Sequence, residues 1–223
     1  MRLLLHACCG PCSLEPTRLL RAAGHDLTIL YANSNIAPAE EYAHRLATLR
    51  AWAEDERLPV VEGAYDPERW EAGPGRIGEA QGDPVRREAR CRACYRLRLE
   101  EAATYASQAG FDGVGTTLSV SPYQYADVIR DELERAAAQA GVAAVFEDFR
   151  PFYDQATRRS RALGTVSYTH LDVYKRQASA WWRSCSTPCC WQCSAARSSR
   201  ATPSTCCSTS CSAWPRWRWS RWG

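Results

Sequence analysis

Five cysteines fall into two groups near the start and middle of the chain: Cys8-Cys9-Gly10-Pro11-Cys12 and Cys91-Arg92-Ala93-Cys94. Thiolates are soft ligands suited to zinc or to iron–sulfur clusters. A Cys-x-x-Cys turn at a helix start lets both sulfurs reach one metal, and two such turns can supply four ligands. A closed four-cysteine zinc site is one solution. Adjacent cysteines and a fifth thiol fit it less neatly, so the spacing favours iron–sulfur. Cys9-Gly10-Pro11-Cys12 also has the spacing of a thioredoxin-type dithiol between a strand and a helix. Against that chemistry, Cys8 is one thiol too many and Cys91 and Cys94 have no part in it. The aromatic residue usual before that motif is absent too. His6 stands just before the first group, either as a satisfied histidine at a strand end or as a ligand or proton donor.

Other polar residues are candidates by position. Asn33 and Asn35 are either a turn with a helix cap or a grip on substrate hydroxyls. Arg86, Arg87 and Arg90 precede Cys91 and are either a solvated charged loop or a phosphate contact. Thr116, Thr117, Ser119 and Ser121 form a hydroxyl-rich stretch that caps a helix or binds phosphate or substrate.

The elements that must position these groups alternate. Strands are expected at Arg2–His6, Leu27–Tyr31, Pro59–Glu62, Gly113–Thr116 and Val142–Phe146. Helices are expected from Ser13 to about Ala23, Pro38 to about Glu56, Arg92 to about Ala109 and Tyr123 to Ala140, with an irregular stretch over 63–90. This alternation predicts an α/β fold with a parallel, Rossmann-like, doubly wound sheet and helices on both faces. The unusual residues follow strands, where parallel sheets place their ligands.

The whole-chain totals of 12 cysteines and net charge +3 average two unlike segments. Residues 1–164 hold 20 Lys and Arg against 24 Asp and Glu, with two tryptophans. Residues 165–223 hold eight basic residues and one acid, with seven cysteines and seven tryptophans. One interpretation of that tail is a basic, aromatic extension that binds nucleic acid. Its lack of hydrophobic periodicity and the adapter-like run 166–177 favour a frame-shifted or adapter-derived segment with no native domain. Residues 1–164 are therefore expected to form the α/β domain, with the tail irregular. Neither a secretory leader nor a membrane span is apparent, so a cytoplasmic protein is expected, its thiols serving metal or redox chemistry.

Taken together, His6-x-Cys8-Cys9-x-Pro11-Cys12, Asn33-x-Asn35-Ile36-x-Pro38-x-x-Glu41-Tyr42-x-x-Arg45, Arg90-Cys91-x-x-Cys94-Tyr95-x-x-Arg98-Leu99 and Thr116-Thr117-Leu118-x-x-Ser121-Pro122 resemble the cobalamin-independent epoxyqueuosine reductase family, as does Asp148-Phe149. The resemblance covers nearly all of residues 1–163. It implies reduction of epoxyqueuosine to queuosine in tRNA, the last step of queuosine biosynthesis, by a [4Fe-4S] enzyme served by an electron donor. By matching position, Cys8, Cys9, Cys91 and Cys94 would hold the cluster. Cys12 and His6 would be catalytic, Cys12 either binding a second, mononuclear iron or meeting the substrate. An iron with an open coordination site would act as a Lewis acid on the epoxide oxygen. Asn33, Asn35, Glu41, Tyr42, Arg45, Arg90, Thr116, Thr117 and Ser121 would bind substrate, and Arg45, Arg86, Arg87, Arg90, Arg96 and Arg98 would offer tRNA a basic strip. The family's closing Tyr-Arg-Gln-x-Tyr-Cys-Gly-Cys segment, whose cysteine pair is held to be redox-active, has no match after Leu163. That puts the activity of this polypeptide as it stands in doubt.

Overall fold

The computed structural model describes residues 1–77 and 83–164. Residues 165–223, expected to be a frame-shifted or adapter-derived tail, lie outside the described residues.

Strand β1 (Arg2–His6) is followed by helix α1 (Gly10–Ala22), β2 (Asp26–Tyr31), α2 (Ala39–Asp55) and β3 (Val60–Glu62). A short helix α3 (Pro67–Ala72) and a 3-10 turn (Pro74–Ile77) precede the long α4 (Pro84–Gln108). Then come β4 (Gly113–Thr116), α5 (Ala126–Ala140), β5 (Ala143–Val145) and α6 (Tyr153–Ala162). The strands form one parallel sheet in the order β3-β2-β1-β4-β5. The expected doubly wound α/β architecture is therefore present.

The period-2 alternation of the strands divides the core. Leu3, Leu5, Ile29 and Tyr31 face one apolar layer with residues of α1, α2 and α6. Leu4, Leu30 and Val114 face the other, with Leu99, Ala102 and Ala106 of α4 and Ile129 and Leu133 of α5. Such two-sided burial is why β1 reads as an unbroken apolar run. The order of the strands reverses between the parallel, paired β1 and β4, whose following helices pack on opposite faces of the sheet. The carboxyl edge beside this switch point is where such sheets place ligands. Here the loops after β1 and β4 are joined by the Thr117 N–H donating to the His6 carbonyl at 2.9 Å and the Cys8 N–H donating to the Thr117 hydroxyl at 3.3 Å.

Three boundaries differ from expectation. Helix α1 starts at Gly10, with extended Cys9 at its N-cap, and the Ser13 hydroxyl bonds back to the Cys9 carbonyl at 2.8 Å instead of capping. Helix α4 starts at Pro84, eight residues before the expected Arg92. Asp83 caps it by accepting from the Val85 and Arg86 N–H groups at 3.0 and 3.1 Å, with Pro84 in the first turn. Cys91 and Cys94 thus lie inside a helix, not at its start. The stretch expected to be irregular contains α3, capped by Asp66 on the Arg69 N–H at 2.9 Å.

Candidate metal centre

The three thiols of the first group converge. Leu5 and His6 are held in β1 between β2 and β4, and the chain turns at Ala7 into α1. The Ala7 N–H donates to the Leu30 carbonyl at 2.9 Å, which fixes where the turn begins. The Sγ atoms of Cys8, Cys9 and Cys12 then lie within 4.8 Å of one another, close enough for one metal or one face of a cluster. All five cysteines of residues 1–164 are free thiols.

The triad shares its charge unequally. Hydrogen bonds from the Cys12 and Cys9 thiols hold Cys8 well below the ordinary thiol range, helped by the Arg98 charge and against the pull of burial. Cys8 also takes a contact from the Thr117 hydroxyl at 3.7 Å, while its own N–H donates to that oxygen at 3.3 Å. Donating to Cys8 raises Cys12. The pull of Cys12 on Cys9 is outweighed by its bond to Cys8 and by burial, so Cys9 also rises. Dithiol exchange through Cys9 and Cys12 would need an accessible thiolate at Cys9. The Cys9 side chain is instead buried, and the favoured thiolate is Cys8.

His6 is completely buried. Its Nε2 is 3.2 Å from the Ala32 carbonyl, which can only accept, so Nε2 carries the proton. Nδ1 then accepts from the Thr116 hydroxyl at 3.0 Å, and that hydroxyl in turn accepts from the Leu118 N–H at 3.2 Å. Burial, then the Arg98 charge, lowers the imidazole to about 3. Its ring nitrogens are both occupied, tying β1 to the loop after β2 and to the end of β4. In this arrangement His6 is a neutral structural group with no nitrogen free for a ligand or for proton donation.

Asn33 ties the elements around the triad. Its Nδ2 donates to the Ala7 carbonyl at 2.9 Å, and its Oδ1 accepts from the Arg98 guanidinium of α4. Cys91, Cys94 and Arg98 are spaced three and four apart, so they share one face of α4. Cys91 and Cys8 pack against the same apolar layer. Trp70 donates its indole N–H to Cys94 Sγ at 3.3 Å, and Arg90 stands over the Trp70 ring at 5.2 Å. Burial, then Cys94, pushes the Cys91 thiol up. The second cysteine pair therefore faces the same side of the sheet as Cys8 but stands outside the 4.8 Å triad.

A model of the family described as epoxyqueuosine reductase QueH matches residues 3–169. The chain belongs to this family. It is similar to QueH of Histophilus somni, 36% identical over 138 residues, covering 61% of this chain and 54% of that protein. QueH of Acinetobacter baylyi is 35% identical over 138 residues, covering 61% of each. QueH of Dehalococcoides mccartyi is 26% identical over 177 residues, covering 79% of this chain and 88% of that protein. The chain spans about half the length of the first of these relatives.

Within this QueH frame the remaining candidate residues divide by exposure. Thr116 and Thr117 are buried in the Cys8–His6 network. Glu41 is buried and accepts from Arg45 Nε at 2.6 Å. Tyr42 is buried between the Tyr31 and Tyr65 rings, at 4.9 and 4.0 Å, and donates to Glu62 at 3.1 Å. Asn35 is half-buried, with a buried Oδ1 that has no partner. The Ser121 hydroxyl accepts from the Tyr123 N–H at 3.3 Å, which is a turn contact. Of the expected basic strip, Arg86 and Arg87 are exposed and Arg90 is half-buried. Arg98 is only 5% exposed, and Arg96 is bonded to Glu132 at 2.9 Å. Arg98 therefore drops out of any solvent-facing strip. Trp70 carried no signal in the sequence beyond its being one of two tryptophans in the body.

Proposed function

We propose that this chain carries the metal-binding domain of a reductase that converts epoxyqueuosine to queuosine in tRNA. The observation that carries this is the convergence of Cys8, Cys9 and Cys12 within 4.8 Å just after the carboxyl end of β1, in a chain of the QueH family. An all-sulfur donor set, with Cys91 and Cys94 on an adjoining helix, fits an iron–sulfur cluster better than hard-ligand metals. Cys8, Cys9, Cys91 and Cys94 would hold a [4Fe-4S] cluster, with Cys12 beside them for a second iron or for substrate. When bound, such a cluster would relay, one at a time, the two electrons that, with two protons, remove an epoxide oxygen as water. The electrons originate from a separate donor.

The chain's own residues prepare the site. His6, Thr116 and Thr117 hold the Cys8 loop against β4, and Asn33 holds it against α4. Hydrogen bonds from Cys12 and Cys9 favour the thiolate at Cys8 over its two neighbours. Asn35, with an unsatisfied carbonyl oxygen at the loop after β2, and the pair Glu41–Arg45 at the start of α2 are the groups for the substrate's polar atoms. Arg86, Arg87 and Arg90 are the positions for tRNA phosphates. Among the described residues no helix is long and apolar enough to cross a membrane.

The test is anaerobic purification followed by iron, acid-labile sulfide and zinc analysis. A brown protein with about four iron and four sulfide per chain is expected, and Cys8→Ser or Cys9→Ser should lose most of both. A colourless protein holding only stoichiometric zinc would overturn the assignment. Insulin reduction that survives Cys91→Ser and Cys94→Ser would point instead to dithiol chemistry.

A further inference from the structure

Arg98 is a cation in a place where a protein does not leave one unpaired. It is 5% exposed, sits on α4 among Leu99, Ala102 and Tyr95 of the core, and its Nε is buried without a hydrogen-bond partner. Among the described residues its hydrogen-bond partner is the neutral amide oxygen of Asn33. Among the described residues no carboxylate forms an ion pair with it. Glu101, one turn on, feels its charge but accepts from the Ala64 N–H at 3.0 Å. Glu41 is turned to Arg45. Burying a guanidinium without a counter-charge is costly enough that most proteins pair it.

The missing anion has an address. Asn33 links Arg98 to the carbonyl of Ala7, the residue before Cys8, so the guanidinium is fixed relative to the thiol loop by two hydrogen bonds. Cys94 lies one turn, about 5.4 Å along the axis, before Arg98 on the same face of α4, and Cys91 roughly one turn before that. We propose that Arg98 is the built-in counter-cation of an anionic, thiolate-ligated metal centre, a positioning residue that balances the charge of the Cys8 side and holds α4 in register with it. The inference rests on the metal-centre assignment above and goes beyond it in naming what neutralises the ligand charge. A purely structural strut between α4 and the loop after β2 would need the hydrogen bond to Asn33 but not the charge.

That distinction sets the test. Cobalt(II) is titrated anaerobically into the full chain, into Arg98→Lys and into Arg98→Gln, following the thiolate-to-cobalt absorption band. Lysine keeps the charge, whereas glutamine keeps an N–H donor for Asn33 without the charge. Outer-shell groups around metal ligands typically change affinity by about 10–100-fold. Arg98→Gln should bind cobalt at least about tenfold more weakly, and Arg98→Lys within about threefold of the parent. The midpoint potential of the reconstituted cluster should move negative in Arg98→Gln only, because a lost cation disfavours the reduced, more negative form. Thermal unfolding of the metal-free proteins guards against misfolding: Arg98→Gln should be no less stable than the parent, since it removes an uncompensated charge and keeps a donor. Equal cobalt affinity in all three proteins overturns the proposal, as does a loss shared equally by the lysine and glutamine variants. A chain that shows the expected cobalt pattern yet assembles no iron and sulfide keeps this inference and refutes the cluster assignment.

Discussion

The same histidine that a sequence scan picks out as chemistry is, in three dimensions, a joint. His6 joins the Ala32 carbonyl through Nε2–H and the Thr116 hydroxyl through Nδ1, with nothing left over. Replacing it by phenylalanine keeps a flat ring, somewhat larger, and strands both partners. Each buried orphan costs about 1–3 kcal/mol. His6→Phe should therefore lower the urea midpoint and the thermal midpoint of the metal-free protein. A variant with unchanged stability but no reductase activity would restore the proton-donor role. Five of the candidate residues, Cys8, Cys9, Cys12, Thr116 and Thr117, were legible because they follow strands, and parallel sheets gather such positions at one edge. Whether His6 is free or engaged was not legible, since a tautomer is set by partners 26 and 110 residues away.

At the scale of elements, helix α4 is what brings the second cysteine pair to the site, and α5 is what fixes α4. Their joint is Glu132 of α5, 2% exposed, which meets Arg96 at 2.9 Å and Arg92 at 3.3 Å from α4 and Arg135 at 3.0 Å from its own helix. Arg135 also meets Glu100 at 2.8 Å, and Asp131 and Glu88 share Arg92 at 3.5 and 3.8 Å. Burial pushes the Glu132 carboxyl up, but the hydrogen bonds and charges of Arg96 and Arg135 outweigh it and hold it at about 2. A depressed carboxylate stabilises the fold fully above its unfolded value, near 4.5, and that stabilisation is lost as pH falls through the folded value. Wild-type protein should then lose on the order of 3 kcal/mol between pH 4.5 and 2 that Glu132→Gln does not lose. Urea unfolding at a series of pH values measures it, with the two proteins converging near pH 2. A constant gap across that range would mean Glu132 acts by packing alone. The start of α4 was written in the sequence as Asp83-Pro84, a cap followed by a first-turn proline. Its first turns do not read as helix, because Arg-rich text after a Gly/Pro segment carries no apolar stripe to mark a packed face. The buried stripe begins only at Tyr95. Helix α6 went unforeseen for the same reason: it buries just Ala156 and Ser160 against its neighbours.

At the scale of the whole molecule, the thiol triad depends on both faces of one sheet at once. The Cys8 loop leaves β1 toward α1 and α2, while Asn33, Thr117 and Arg98 hold it from the side of α4 and the loop after β4. Leu4 and Leu5 are neighbours in β1, both fully buried, and face opposite apolar layers. If the two layers melt as one unit, Leu4→Ala and Leu5→Ala should each cost about 2–5 kcal/mol. Each should shift the same single transition, and the double variant should lose roughly the sum, since the two side chains share no partner across the sheet. Far-UV circular dichroism and hydrogen exchange at α1 and α4 would follow the two layers separately. Coincident curves in both variants are expected. A variant that loosens one layer while the other keeps its midpoint would show the faces to be separable. Metal retention would then be expected to fail first in the variant that frees the face bearing Arg98.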